Sequence, residues 1–516
     1  MARLDEHRGK QLLSAVDIAV PEGDRAEDAA RAAEIAAALG GPCVVKALAL
    51  VTGRAGRGWV RMAATAEEAQ AHAAELLAQV GVKAVRIERR LDIEREMFAA
   101  VVIDDRAAAP VVVLSSRGGT GIEEIASEHP ADVVRRVVDI RRGFAPDMGR
   151  EMAEAVGIAG GVQVEVGALL AKLYEAFRRF DCRSIEINPL ALTTDGGLVA
   201  ADCHATIDDY AVYRHPELGI RMAREIGHEP SVRELIAYEV EKDDHRGTFY
   251  FIELADPQSG PGHVAFHGAG GGGSMMSMDA LMKEGFKPAN FCDTSGNPPA
   301  SKVYRAAKIL LSQAGIVGYF ASGSGVASQE QSQSARGFIK AFRELGLMVP
   351  AVIRLGGNQE ELACELLRRF CSELDAPVEA YGKDDSARFC AGRLRALVDG
   401  YKPPSVPRGP SPISPAEMPA DAYRFKTMTG EISIDQSRWT AEGAQAAVES
   451  CPTKILKLEQ SPSGPAVVLA ISEAEARKGK CIECLACELA SFEHGCHALH
   501  IDLPMPAGWQ LAGGAG

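Results

Sequence analysis

The stretch "SIEINPLALTTDGGLVAADC", Ser184 to Cys203, decides how the N-terminal part of the chain is read. Two apolar runs flank Asp195-Gly196-Gly197, so the stretch predicts a β-hairpin. Side chains alternate along a strand. Glu186 and Asn188 therefore share one face, and Ile185 and Ile187 the other. The second strand leads to Asp202, which places Asn188 and Asp202 on adjacent strands with Glu186 beside them. Magnesium takes oxygen ligands and keeps several waters, so two such side chains suit it.

Working outward, "PCVVKALAL" predicts a strand with Lys46 near its end. The following "TGRAGRG" contains Gly53, Arg54 and Ala55. Such a segment can fold backbone N–H groups over phosphate oxygens. "TAEEAQAHAAELLAQVG" predicts a helix with Thr65 as N-cap and Gly81 past its end. "VRIERRL", "REMFAAVVID" and "APVVVLSS" predict successive strands, and "ADVVRRVVDI" and "VEVGALLAKLYEAFRRF" helices. From about residue 248 strands alternate with helices: "HVAFHG", "SMMSMDALMKEG", "SKVYRAAKILLS", "IVGYFAS", "SARGFIKAFRELG", "VPAVIRLG", "NQEELACELLRRFC". That order predicts a mostly parallel, doubly wound sheet. "YKPPSVPRGPSPISPAEMP", Tyr401 to Pro419, holds seven prolines and predicts an extended spacer.

With 516 residues the chain is long enough for three or four domains. Its 47% hydrophobic content is ample for several cores. A formal net charge of −14, with no run of Lys and Arg, argues against nucleic acid as a partner. The start, "MARLDEHRGKQLL", has no apolar stretch of a secretory signal, and no apolar run is long enough to span a bilayer. The expected location is the cytoplasm. Twelve cysteines in such a chain do not read as a disulfide framework. Seven are scattered and read as core; five follow residue 450.

"LDEHRGKQLL", "VPEG", "VVKALALVTGRAGRGWV", "SSRGGTGIEEIA", "IEINPL" and "ADCHATIDD" occur in one order over the first half of the chain. In that order and approximate spacing they resemble the β subunit of succinyl-CoA synthetase, and so the ATP-grasp module of nucleotide-dependent acyl-CoA ligases. The resemblance spans roughly residues 1 to 400. It implies ATP or GTP as nucleotide, with Lys46, Gly53, Arg54, Ala55, Glu88 and Glu96 at the nucleotide and Asn188 and Asp202 on Mg²⁺. Three positions depart from the family pattern: Gly56 stands for a basic residue, His204 for a lysine, and Arg117 for an acidic residue.

"HGAGGGGSMMSMD", "KPANFCDTSGNPPASKV" and "VIRLGGNQEE" resemble the flavodoxin-like domain of the same ligases. There a glycine loop and a helix N-terminus hold the phosphate of a phosphohistidine, as N–H groups and the helix dipole favour an anion. The resemblance implies a substrate and phosphate loop at His267, Gly268, Gly270, Gly323, Ser324 and Gly325. It also implies an α-type partner subunit that carries the phosphohistidine and binds CoA, hence a hetero-oligomer. "SGN" at Ser295–Asn297 and "SGSGVASQ" replace the family's glycine-rich loops and point to an acid other than succinate. His267 is an alternative, in-chain phosphate carrier.

"CIECLACELASFEHGC", Cys481 to Cys496, opens with Cys-x-x-Cys-x-x-Cys. The Cys-Pro dipeptide of bacterial ferredoxins is missing after Cys487 but present at Cys451-Pro452. In two-cluster ferredoxins that cysteine serves the cluster of the other triad. Cys451, Cys481, Cys484 and Cys487 are thus expected to hold one [4Fe–4S] cluster. Zinc, on the triad with Cys496 or one of His494, His497 and His500, is the rival. The tail resembles the ferredoxin domain of electron-transfer-flavoprotein ubiquinone oxidoreductase, with "GEISIDQSRW" and "AVVLAISEAE" as flanking strands.

The expected fold is therefore α/β and multidomain. An ATP-grasp module occupies 1–230, a flavodoxin-like doubly wound ligase domain 231–400, a Pro-rich linker 401–424 and a small α+β ferredoxin domain 425–516. The expected function is the β-type chain of an ADP- or GDP-forming acid–CoA ligase with a fused iron–sulfur domain. Two alternatives are an electron-transfer component in which ATP turnover gates electron flow to a redox partner, such as a flavoprotein or reductase, and a redox sensor.

Overall fold

The computed structural model describes all residues except 1, 51–52, 80, 120–126, 225–227, 324, 326, 416, 462–463 and 513–516. The chain divides into two compact units, Met1–Pro230 and Ser231–Gly516.

The first unit holds two antiparallel sheets. The smaller is β2 (Gly23–Ala26), β5 (Ala84–Arg89), β3 (Cys43–Leu48) and β4 (Val60–Ala63), in that order. Helices α2 (Ala29–Leu39) and α3 (Ala66–Leu77) bury Ala32, Ile35, Ala69 and Leu76 against it. Asp28 and Thr65 cap them by accepting from the N–H three residues on. The larger sheet runs β1 (Ala2–Arg3), β11 (His204–Ile207), β9 (Cys182–Thr193), β6 (Ile93–Asp104), β7 (Ala109–Ser115) and β8 (Val133–Val137), with β10 (Leu198–Ala200) also on β9. Helices α1 (Glu6–Ser14), α4 (Pro146–Ala155) and α5 (Gly160–Arg179) close its core.

Two expectations are corrected here. The segment 131–140 is not a helix; Val133–Val137 forms β8, antiparallel to β7. Its branched valines favour extended backbone, and pairing with β7 outweighs the helical spacing. Asp202 is not on the hairpin's second strand. β10 ends at Ala200 opposite Leu190, and β11 resumes with His204 opposite Glu186. The break faces Asn188-Pro189, where proline offers no N–H to a ladder. Asp202 sits in this break and still lines the same cavity as Asn188.

In the second unit the sheet runs β12 (Tyr250–Glu253), β15 (Asn290–Asp293), β13 (His263–Ala269), β16 (Gly318–Gly323), β17 (Ala351–Arg354) and β18 (Val378–Tyr381), with the short β14 (Lys287–Pro288) also on β13. β12 is antiparallel and the others parallel. Without β12 the path has the 2-1-3-4-5 order of a flavodoxin-like sheet. Helices α6 (Val232–Asp243), α8 (Ala300–Leu311), α9 (Gln331–Leu345) and α10 (Glu360–Cys371) contribute to the core on one face. Helices α7 (Gly271–Lys283) and α11 (Ala387–Gly400) cover the other.

The rest of this unit comprises β19 (Tyr423–Lys426), β20 (Glu431–Ile434), the hairpin β21 (Leu456–Ser461) and β22 (Gly464–Leu469), and β23 (Leu499–Asp502), with helices α12 (Ala441–Glu449) and α13 (Ala486–Glu493). Its buried side chains, among them Phe425, Ile432, Trp439 and Leu489, belong to the same core as Phe338 and Phe342 of α9. The described residues of the proline-rich stretch form no regular elements, but it is a strap rather than a free spacer. Ile413 and Ser414 are 2% and 3% exposed. Ser411 N–H donates to Arg343 O, and Arg343 Nη2 to Ser411 Oγ.

Candidate functional site

In the first unit, Lys46, Gly53, Arg54, Ala55, Glu88, Glu96, Asn188 and Asp202 line one cavity of about 390 Å³. β3 supplies Lys46, β5 Glu88, β6 Glu96 and β9 Asn188. The charges beneath the cavity form a buried network. Lys46 Nζ lies 2.6 Å from Glu88 Oε1 and 2.9 Å from Glu6 Oε1. Lys10 Nζ reaches the same two carboxylates at 2.6 and 2.7 Å. Arg54 spans Glu6, at 2.8 Å, and both oxygens of Asp202, at 2.7 and 2.9 Å. Arg86 adds a fourth cation on Glu88, at 2.8 Å.

Four cations thus face three carboxylates, and the cavity keeps an excess of positive charge. Burial alone would raise Glu6, but Lys46, Lys10 and Arg54 hold it well below the usual carboxylate range. Burial alone would lower Lys46, but Glu6, Glu88 and Asp202 raise it above its ordinary value. Both therefore stay ionised at neutral pH. Glu186 is different: burial raises it, against the pull of His204 and Asn188.

Asn188 Oδ1 accepts from Gly119 N–H at 2.9 Å. Gly119 has φ +87°, and a Cβ there would lie 2.4 Å from Glu96 Oε2. The left-handed backbone is what favours glycine in this turn, since the Glu96 side chain could move aside. Arg117, in the same turn, pairs with Asp132 at 2.6 Å. Residues 120–126 of the "SSRGGTGIEEIA" stretch lie outside the described residues.

In the second unit, the glycine loop between β13 and α7 is met by a side chain. Asp293 Oδ1 accepts from Gly270 N–H at 3.0 Å and Ser295 N–H at 2.8 Å, and its Oδ2 from Gly271 N–H at 2.8 Å. A Cβ on Gly268 would lie 2.5 Å from Ser274 Oγ and 2.6 Å from Cys292 O, so only glycine fits. His267 is 2% exposed, and its ring nitrogens meet Tyr319 Oη at 2.7 Å and Thr294 Oγ1 at 3.0 Å. Burial pushes its pKa down to about 3. An imidazole this buried, with both ring nitrogens engaged, is a poor phosphate acceptor, which removes the support for an in-chain phosphohistidine at this position. Gly323 O accepts from Arg354 Nη1 at 2.7 Å, and Gly325 has φ +80°. Ser324 lies outside the described residues. Asn297 binds Ser328 Oγ and Gln329 N–H, both at 2.9 Å, tying the two divergent loops together.

Cys451, Cys481, Cys484 and Cys487 are all buried. Burial raises Cys487 most, and the next contributions come from the sulfurs of Cys484, Cys451 and Cys481. The four thiols are thus electrostatic neighbours of one another. Burial also raises Cys481 and Cys484, and the backbone at Glu483 and Ala486 offsets part of that rise. Glu483 and Leu485 adopt left-handed backbone, with φ 53° and 62°. Such alternation turns successive N–H groups inward and builds the concavities found at anion and iron–sulfur sites. Among the described residues no three His, Cys, Asp or Glu side chains are drawn together closely enough to form a ready metal cage. The other zinc candidates point elsewhere: Cys496 to Thr440, and His500 to Ser414 and Glu488.

Three residues of these sites went unread in the sequence. Glu6 and Lys10 look like a surface pair one turn apart on α1, and only burial reveals their place. Asp293 reads as a strand end.

An ATP-grasp domain family matches residues 3–192. The chain is 34% identical over 368 residues to the GDP-forming succinate–CoA ligase β subunit of Thermus thermophilus, covering 70% of this chain and 93% of that protein. It is 33% identical over 371 residues to the ADP-forming β subunit of Rubrobacter xylanophilus, covering 70% and 92%. An ATP citrate lyase of Methanothrix soehngenii, solved with citrate and coenzyme A, shares the fold. Its TM-score is 0.60 at 20% identity, over 76% of this chain and 99% of that one. No helix among the described residues is long and apolar enough to cross a membrane. These matches and the ion-lined cavity agree, and the chain belongs to the succinate–CoA ligase β-subunit family.

Proposed function

We propose that this chain is the nucleotide-binding, β-type subunit of an NDP-forming acid–CoA ligase, and that its C-terminal segment carries a [4Fe–4S] cluster. The observation that carries the ligase reading is the single cavity lined by Lys46, Arg54, Asn188 and Asp202 over a buried, net-positive network. Lys46 and Arg54 would turn to the phosphate oxygens of ATP or GTP, with N–H groups near Gly53 and Ala55 over them. Glu96 would face the ribose or base. Glu88 acts one step back: its carboxylate holds Lys46 in place. Asn188 and Asp202 would give Mg²⁺ two oxygens, and the ion, when bound, supplies charge neutralisation of the phosphates.

His267 is buried and engaged, so the phosphohistidine belongs on an α-type partner, which would also bind CoA. The glycine loop at Gly268 and Gly270, with Gly323 to Gly325, would face the transferred phosphate and the acid. An anion there has to displace Asp293 from the loop N–H groups. The cluster reading is carried by the inward-turned loop of Cys481 to Cys487, with Cys451 as fourth thiol. Residues 1–230 would form the nucleotide module, 231–400 the ligase domain, 401–424 the strap and 425–516 the ferredoxin-like part.

A second reading is an electron-transfer component in which nucleotide turnover gates electron flow to a redox partner. It is favoured by the departures at Ser295–Asn297 and 322–329, which change the loops that face substrate in the family. One experiment separates them. The protein is purified without oxygen together with its α-type partner, and NDP release is assayed with a panel of acids, CoA, and ATP or GTP, with and without dithionite. Acid- and CoA-dependent NDP release that ignores the reductant supports the ligase. Release that needs the reductant and no acid overturns it in favour of electron gating.

A further inference from the structure

Helix α9 runs beside α13, and two contacts set their register. Lys340 Nζ lies 2.8 Å from Glu488 Oε1, with both side chains at most 1% exposed. One turn further, the Arg343 guanidinium carbon stands 4.9 Å from the Phe492 ring centre. One turn earlier on α9 is Arg336, and α13 begins at Ala486, with Cys487 in its first turn and Cys484 in the loop just before it. The two helices therefore advance in the same direction, and Arg336 arrives at the cysteine loop.

The surroundings of Arg336 differ from those of its neighbours. Lys340 pairs with Glu344 and Glu488, and Arg343 with Glu373. Arg336 has no carboxylate at ion-pair distance among the described residues. Burial presses its guanidinium below the ordinary value, and the opposing pull comes first from the sulfurs of Cys484 and Cys487, then from Glu330 and Glu493. A largely buried cation needs a counter-charge. Here the foremost candidates are sulfurs.

Resting on the cluster reading above, we propose that Arg336 is the positioning residue that balances the charge of a cluster on Cys451, Cys481, Cys484 and Cys487. Ligation makes the four thiols thiolates, and reduction adds one more negative charge. A nearby cation in a poorly screened site stabilises the reduced form and so raises the reduction potential. Arg336 also lies little more than one turn from the head of α9, Gln331. The loop just before it, with Gly323 and Gly325, is the proposed acid and phosphate loop. One helix thus carries both the charge partner of the cluster and the end nearest that loop.

The test uses the full chain, purified without oxygen, as wild type, Arg336→Gln and Arg336→Lys. Iron and acid-labile sulfide are measured first, then the midpoint potential by redox titration followed by electron paramagnetic resonance. Wild type without iron and sulfide sinks the cluster reading itself. With a loaded wild type, a lower midpoint in Arg336→Gln that Arg336→Lys restores supports the charge role. So does loss of iron in Arg336→Gln that Arg336→Lys prevents. Equal loading and equal midpoints in wild type and Arg336→Gln overturn it. Equal damage by both substitutions also overturns it, because a packing role does not distinguish lysine from glutamine.

Discussion

As the proposed Mg²⁺ ligand, Asp202 would have two roles that compete. Both its oxygens face Arg54 Nη2, at 2.9 and 2.7 Å. As a Mg²⁺ ligand it must give up part of that contact, while Arg54 turns to phosphate. Arg54 is also held by Glu6 and by Ala47 O, so neutralising Asp202 does not strand it. Asp202→Asn is expected to weaken binding of the magnesium–nucleotide complex about tenfold or more, about 1.4 kcal/mol. Affinity for metal-free nucleotide should hold or rise slightly, because Arg54 is freed. Calorimetric titration with magnesium and with EDTA checks this; equal losses in both would remove the metal role. Lys46 and Arg54 were legible in the sequence through the order of six motifs rather than from their own neighbours, and both line one cavity. Glu6 and Lys10 were not, because their meaning comes from tertiary burial.

At the scale of elements, the α9–α13 contact is the sharpest case. Glu488 is fully buried, accepts from Lys340, Ser414 Oγ and Ile501 N–H, and has its pKa held at about 2. Burial opposes that shift, and Lys340 with His500 produces it. The folded value lies below the ordinary 4.5, so ionised Glu488 stabilises the fold above about pH 4.5. As the pH falls from there toward 2, the unfolded chain takes the proton first and that stability is lost. The linkage is worth about 3 kcal/mol. Glu488→Gln should flatten this acid limb and cost about 3–5 kcal/mol at neutral pH, because Lys340 loses its buried partner. Adding Lys340→Met should restore more than half of the loss. Denaturant unfolding at pH 7 and pH 3 measures both, and simple additivity of the two substitutions would refute the pairing.

Elements also show where sequence reading stops. The helices from α8 to α10 and the β13–β17 alternation were legible because hydrophobic spacing matched one face of each. Val133–Val137 was not, since a short run of valines and arginines fits both periods until a partner strand selects one. The break after Ala200 was hidden for a related reason. It is set by Pro189 on the opposite strand, not by residues of its own.

For the whole molecule, the question is whether the cysteine-bearing part is a passenger on a tether or a wall of the ligase unit. Composition favoured a tether, because prolines at 401–419 forbid regular structure. They do not forbid binding, and the strap is held to Arg343 through the N–H, C=O and hydroxyl of Ser411. The shared core argues for a wall. Arg305 donates to Pro504 O and Thr429, Arg246 reaches Glu483 and Ile482 O, and Phe370 lies 5.9 Å from Phe492 between ring centres. A chain ending at Gly400 would leave Lys340, Arg305 and the apolar face of α9 without these partners. Losing several kcal/mol should lower the unfolding temperature of the second unit by about 10 °C or more, or leave it aggregated. Nucleotide binding by the first unit, whose cavity is lined only by residues up to His204, should survive. Calorimetry of the full and shortened chains, with magnesium–nucleotide titration of each, reads both effects. If the shortened chain keeps the same transition for the second unit, the C-terminal part is a tethered module after all. The ion pairs at Glu483 and Glu488 would then be contacts the chain does not need.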